Sequence, residues 1–288
     1  MLSLKDRTLF ITGGSRGIGL ALALRAAQDG ANIVIAAKTA EPHPKLPGTV
    51  YTAAAEIERA GGRALPLVLD VRDEVAVDRA VEAAAAAFGG IDACVNNASA
   101  INLATTEDVD LRRFDLMWQV NARGAFVVSR ACLSYLKRAE NPHILTFSPP
   151  LDLRPEWFAA HLPYTLSKYA MSLTMLGLAE EFRDAGIACN ALWPRTTIAT
   201  AAVEFALGGP EMLRRSRKPQ IMAEAAHAIL TRPSRGFTGQ FLIDDEVLHA
   251  AGVRDFGGYR HDADSDLLVD LFVDPGAPAP SGVRVARS

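Results

Sequence analysis

Short apolar runs recur along the chain, each separated from the next by a longer stretch, and this alternation limits the possible folds more than any other feature. The runs TLFIT (8–12), NIVIAA (32–37), ALPLVLD (64–70), IDACVNN (91–97), HILTFS (143–148) and IACNALW (187–193) are almost continuously apolar, as strands covered on both faces must be. The stretches between them carry helical spacing, and several stop at Gly30, Gly61, Gly89 or Gly186, where a left-handed cap costs glycine least. Strand and helix alternating in this way predict a doubly wound α/β fold: a single parallel sheet, right-handed crossovers, and helices on both faces. GQFLIDDEV (239–247) supplies another expected strand. No sharp change in composition divides residues 1–255, which read as one domain. Residues 256–288, with GGYRHDADSD and DPGAPAPSGVRVARS, read as a loosely packed, partly disordered tail.

Between the first expected strand and the first expected helix lies TGGSRGIG, with Gly13, Gly17 and Gly19. In that context, close backbone approach and free helix N-terminal amides suit a pyrophosphate, so a dinucleotide is expected here. Charge argues against a nucleic acid partner: 30 basic residues face 33 acidic ones, a net charge of −3, with no basic patch in sight. No apolar run reaches the roughly 18 residues of a membrane span, and the N-terminus lacks a basic region followed by an apolar one. The expectation is a soluble, cytoplasmic protein without a membrane span. Cys94, Cys132 and Cys189 lie far apart among apolar neighbours and read as reduced core residues, and no Cys/His spacing suggests a metal site. TAEPHPKLPGT (39–49), with three prolines, reads as a rigid surface loop directly after the second strand.

Five landmarks stand in register: the turn T-G-x-x-x-G-x-G, Asp70 after the third strand, NNAS (96–99), Asn121, and Tyr164 with Lys168 in Y-x-x-x-K. Together they resemble the short-chain dehydrogenase/reductase family over residues 5 to 250. The resemblance implies a dinucleotide held by Gly13, Ser15, Arg16, Gly17, Ile18 and Gly19, adenine contacts at Asp70 and Val71, and further cofactor contacts at Asn97, Ala98, Tyr164, Lys168, Pro194, Thr197 and Ile198. NAD enzymes usually place an acid at the end of the second strand, whereas a 2′-phosphate calls for cations. IAAKTA puts Lys38 there, and Arg16 can approach from the glycine turn, so NADP(H) is favoured over NAD(H).

Tyr164 and Lys168 are four residues apart and share one helix face. A phenol titrating near ~10 is a poor acid–base group at neutral pH unless a cation favours its ionised form. The resemblance implies that Tyr164 moves the hydroxyl proton, that Lys168 lowers the phenol pKa and holds the cofactor ribose, and that Asn121 kinks its helix in a proton relay. The family's Ser-Ser becomes Ser148-Pro149, and proline cannot donate a hydrogen bond, so Ser148 is the expected but less regular serine. Pro149 also motivates the alternative of a catalytically weak cofactor-binding sensor or scaffold.

The loop after the second strand, S-P-P, and WPRT (193–196) further resemble the hydroxysteroid dehydrogenase-like subgroup, and its relatives suggest an apolar alcohol or carbonyl substrate, terpenoid, lipid-like or acyl. The substrate wall is expected from residues 149–163 and 198–222. Arg195 reads as a surface residue, with a substrate anion as the alternative, and the cluster Arg214, Arg215, Arg217 and Lys218 reads as a solvated helix end, with a cationic rim as the alternative. Family resemblance also implies a homo-oligomer, dimer or tetramer, through helices around 101–136 and 164–184.

Overall fold

The computed structural model describes residues 3–43, 46–283 and 285. Seven strands form one parallel sheet: β1 (Thr8–Thr12), β2 (Asn32–Ala37), β3 (Arg63–Val68), β4 (Ala93–Asn96), β5 (His143–Thr146), β6 (Ala188–Trp193) and β7 (Phe241–Ile243). Their order is β3-β2-β1-β4-β5-β6-β7. The order reverses between β1 and β4, and in doubly wound sheets the crevice beyond the strand ends at such a reversal is where ligands bind. β3 is an edge strand, which is why it tolerates Pro66 without losing a ladder bond on both sides.

Helices α1 (Gly17–Ala27), α2 (Val50–Arg59), α3 (Glu74–Phe88), α4 (Leu111–Met117), α5 (Gly124–Leu136), α6 (Glu156–Ala159), α7 (Leu162–Glu181), α8 (Gly209–Arg214), α9 (Gln220–Leu230) and α10 (Asp244–Ala250) complete the fold. The strands are continuously apolar because both faces are covered. On one face Leu9, Ile11, Ile33 and Ile35 meet Leu22 and Ala26 of α1, Ile57 of α2, and Ile221 and Ala225 of α9. On the other, Phe10, Val34, Cys94 and Ile144 meet Val77 and Val81 of α3, Val128 of α5 and Met175 of α7. Each fully buried large side chain contributes roughly 1.5–3 kcal/mol of transfer free energy, so the two layers hold the strand ends rigidly. Cys94, Cys132 and Cys189 are all buried and unpaired by disulfides.

The expected strand at 239–247 divides in two: β7 ends at Ile243, and Asp244, Asp245 and Glu246 form the acidic first turn of α10, where a helix favours negative charge. The expected loose tail differs more. Residues 256–273 return to the body, burying Phe256, Leu267, Phe272 and Val273, and Val269 bridges antiparallel to Thr196. Arg284 and the final residues 286–288 of that expected tail, and Pro44 and Lys45 of the proline loop, lie outside the described residues.

Candidate active site

The glycine turn leads from β1 into α1. Gly13 has φ +66° and Gly17 φ +58°, both left-handed. Asn97, just past β4, donates its side-chain amide to the carbonyls of Thr12 and Gly13 at 2.9 Å each. Thr12 Oγ1 in turn accepts the amides of Asn97 and Ala98. A Cβ on Gly13 or Gly19 would stand 2.8 or 2.6 Å from Asn97 Nδ2, so this brace exists only because both residues are glycine. Arg16 precedes α1 in extended conformation and its side chain does not cap the helix, leaving the first amides available to an anion. The turn therefore fits the pyrophosphate of a dinucleotide.

Further along the same edge, Lys38 Nζ lies 3.3 Å from Asp70, beyond β3, and Arg72 binds the same carboxylate with two nitrogens. These two cations hold the Asp70 carboxyl well below the usual carboxylate range. Arg72 is a cation at this corner that the sequence reading did not identify. Arg16 instead donates to the carbonyls of Pro47 and Gly48 at 2.9 Å each, tying the proline loop over the turn. Val71 is buried, and a Cβ on Gly124 of α5 would meet its side chain at 2.8 Å.

Tyr164 and Lys168 project from one face of α7, as their spacing requires, and line one cavity of about 420 Å³ with Ile18, Asn97 and Pro194. Lys168 Nζ donates to the Phe147 carbonyl at 3.0 Å and lies 5.2 Å from the Trp193 ring centre. Burial pulls the Lys168 ammonium down to about 7 and pushes the Tyr164 phenol well above its ordinary range, with the charge of Asp270 adding to the latter. Without a further positive charge, then, this pair does not favour the phenolate. Asn121 sits in a π-helical turn, Trp118–Arg123, between α4 and α5. Such a widened turn commonly marks a functional position in a helix. Its amide is fully engaged: it accepts from Ala100 N at 2.7 Å and donates to the Ala100 carbonyl and to Ser167 Oγ. Ser167 donates onward to the Tyr164 carbonyl, so Asn121 braces the backbone that carries the tyrosine.

Ser148 is buried, but its hydroxyl has no hydrogen-bond partner among the described residues, and the residue is not among those lining the cavity. Thr197 and Ile198 do line it, yet Thr197 Oγ1 is bonded to Ser216 Oγ at 2.7 Å. Arg195 is not a surface residue: it is 2 % exposed, paired with Asp245 at 2.8 Å and with Glu246 at 2.6 Å. Arg217, expected at a solvated helix end, is fully buried and meets Asp245 at 3.0 Å. Both corrections have one cause, since the acidic start of α10 turns inward beneath the loop after β6.

The cavity wall follows expectation in part. Thr200, Val203, Leu207, Met212 and Met222 come from the expected segment 198–222. Residues 149–163 do not line it; Trp157 packs edge-on against Phe272 instead, and Arg154 is bonded to Asp274. Their place is taken by Leu268, Val269, Asp270 and Leu271 of the returning C-terminal segment. The signal was present in the sequence as LLVDLFV (267–273), an apolar run embedded in a polar stretch.

The sequence profile described as short chain dehydrogenase matches residues 7–206. The chain is 57% identical to hydroxysteroid dehydrogenase-like protein 2 of Danio rerio over 267 residues, which make up 93% of this chain and 64% of that protein. It thus spans less than two thirds of the length of that relative. Among solved structures, a putative dehydrogenase from Xanthomonas campestris superposes with a TM-score of 0.92 at 58% identity, over 95% of this chain and all of that one. A short chain dehydrogenase of Mycobacterium thermoresistibile gives 0.90 at 56% identity, over 96% of this chain and all of that one.

Proposed function

The chain belongs to the short-chain dehydrogenase/reductase family, and from that premise we propose that it is an NADP(H)-dependent oxidoreductase interconverting an alcohol and a carbonyl on an apolar small molecule. The observation that carries this reading is the shared cavity, in which Tyr164 and Lys168 face the same space as the glycine turn's Ile18 and an otherwise largely apolar wall. A bound nicotinamide dinucleotide supplies or accepts the hydride.

The protein's own residues do the rest. Tyr164 gives its proton to the substrate oxygen in reduction and takes it back in oxidation. The cost of ionising this buried phenol is offset by Lys168 and by the positive charge of an oxidised nicotinamide. Asn121, through Ser167 and Ala100, holds the tyrosine's backbone and the 98–101 loop in fixed relation. Ile101, Leu103, Trp193, Leu207 and Met212 exclude water and suit a terpenoid, lipid-like or acyl chain.

Support for NADP(H) is the absence of an acid at the end of β2, with Lys38 and Arg72 clustered there and Arg16 nearby. The Lys38–Asp70 contact would loosen as the ammonium turns to a 2′-phosphate. The test is turnover of citronellal, decanal, a 3-ketosteroid and an acetoacetyl thioester by the whole chain, with NADPH and with NADH. NADPH-dependent turnover of a panel member is expected, lost at least about 10²-fold in Tyr164→Phe while cofactor binding persists. Lys38→Ala should lower the NADPH preference. Cofactor binding without any turnover would favour the sensor reading, for which the hydroxyl of Ser148, off the cavity wall, is the one structural argument.

A further inference from the structure

Within LLVDLFV (267–273), Asp270 is the one charged residue, and its neighbours Leu268, Val269 and Leu271 line the cavity with it. Four hydrogen bonds fix the segment: Leu268 N donates to the Arg215 carbonyl, Thr197 N to the Leu268 carbonyl, Asp270 N to the Arg195 carbonyl, and Trp193 Nε1 to the Leu271 carbonyl, at 2.8 to 3.0 Å. The carboxyl is therefore presented by a rigid frame. One of its oxygens accepts the Leu271 amide at 2.7 Å. Among the described residues no basic side chain forms an ion pair with it, because Arg195 and Arg217 are both committed to the acids of α10. It lines the same cavity as Tyr164 and Lys168, and Phe272, two residues on, stacks on the Tyr164 ring with centres 6.2 Å apart.

A half-buried carboxyl with no ion-paired cation is costly to ionise and is held toward its neutral form, which is a hydrogen-bond donor. We propose that Asp270 is a further catalytic residue: its O–H hydrogen-bonds the substrate carbonyl oxygen that Tyr164 protonates, so that two donors hold the oxygen as hydride reaches the carbon. Asp270 transfers no proton itself; the proton comes from Tyr164. The inference rests on the oxidoreductase reading above. Burial pushes the Asp270 carboxyl up to about 7, which supports this role near neutrality. The groups acting on it are Tyr164 and Lys168 of α7 and Asp244 of α10; Lys168 favours its ionised form and Asp244 disfavours it.

The test uses the whole chain with NADPH and the four carbonyl compounds named above. Asp270→Ala should lower kcat about 10²-fold, the typical loss of one donor to a developing oxyanion. Asp270→Asn keeps a donor, so it should stay within about tenfold of the parent and lose the fall in reduction rate as Asp270 ionises. A difference infrared spectrum between the parent and Asp270→Asn, both with NADPH bound, should contain a neutral carboxyl band that fades with the same pH dependence. Parent-like kcat in Asp270→Ala, or the lack of a neutral carboxyl band, overturns the proposal. If Tyr164→Phe also keeps its turnover, or if the parent turns over no panel member, the oxidoreductase reading fails and takes this inference with it. If only Tyr164→Phe is inactive, the failure belongs to Asp270 alone.

Discussion

Asp270 has a consequence for stability that is separate from catalysis. A carboxyl titrating near ~3.9 in the unfolded chain and at about 7 in the folded one binds more protons in the native state between those two values. Native protons in excess mean that stability falls as pH rises through that window, and the loss is complete above the folded value. At about 1.36 kcal/mol per unit, the upper bound is about 4 kcal/mol. Asp270→Asn carries no such charge, so it should be more stable than the parent above neutrality, and the difference should shrink as pH approaches ~4. Urea unfolding of the two proteins at several pH values checks this. A constant difference, or an asparagine variant weaker than the parent at high pH, contradicts it. A residue that costs stability where a neutral amide would not is more easily explained by function than by packing.

At the scale of elements, the loop after β6, α10 and the C-terminal segment form one unit knotted by buried charge. Arg195 binds Asp245 and Glu246, Arg217 binds Asp245, and the Arg195 carbonyl receives the Asp270 amide. Burying these charges is expensive, and Arg217 Nε and Nη2 have no hydrogen-bond partner among the described residues. Removing Arg195 leaves Arg217 alone to offset the two buried carboxyls Asp244 and Asp245, so Arg195→Met should destabilise by about 3–5 kcal/mol. Limited proteolysis should then cut first between residues 256 and 273; a variant with the parent's unfolding midpoint would contradict the argument. Local pattern could not reveal this unit. β1 and β2 were legible to the residue because an unbroken apolar run has few alternatives in a doubly wound chain, and Tyr164 with Lys168 was legible because helical spacing is local. Arg195 and Arg217 read as surface residues because their partners lie about 50 and 28 positions away. LLVDLFV looked like a tail because glycine, proline and aspartate flank it, and its strand-like bond to Thr196 is non-local.

For the whole molecule, the site lies beyond the carboxyl ends of the central strands, while a different surface stays apolar. Trp118, in the π-helical turn, and Phe126 of α5 are 45% and 47% exposed, and Leu166, Leu173 and Leu176 of α7 are 39%, 56% and 47% exposed. Leu166 and Leu173 are seven apart and Leu173 and Leu176 three apart, so they form one stripe along α7, on the side away from Met175 in the core. The same helix carries Tyr164 and Lys168 on the side of Met175, opposite the stripe, and Asn121 braces it from the turn that exposes Trp118. Contiguous exposed apolar surface on a folded protein marks an association site. The proposal is a homo-oligomer in which a second copy covers α5 and α7, so that assembly and catalysis share one rigid helix. Sedimentation should give a mass above that of one chain, and Leu173→Glu with Phe126→Glu should return it to one chain, since a charge buried in an apolar interface is uncompensated. Turnover should fall with assembly if the partner helps to hold α7 in place. A parent that sediments as a single chain would show that these helices serve another partner or none.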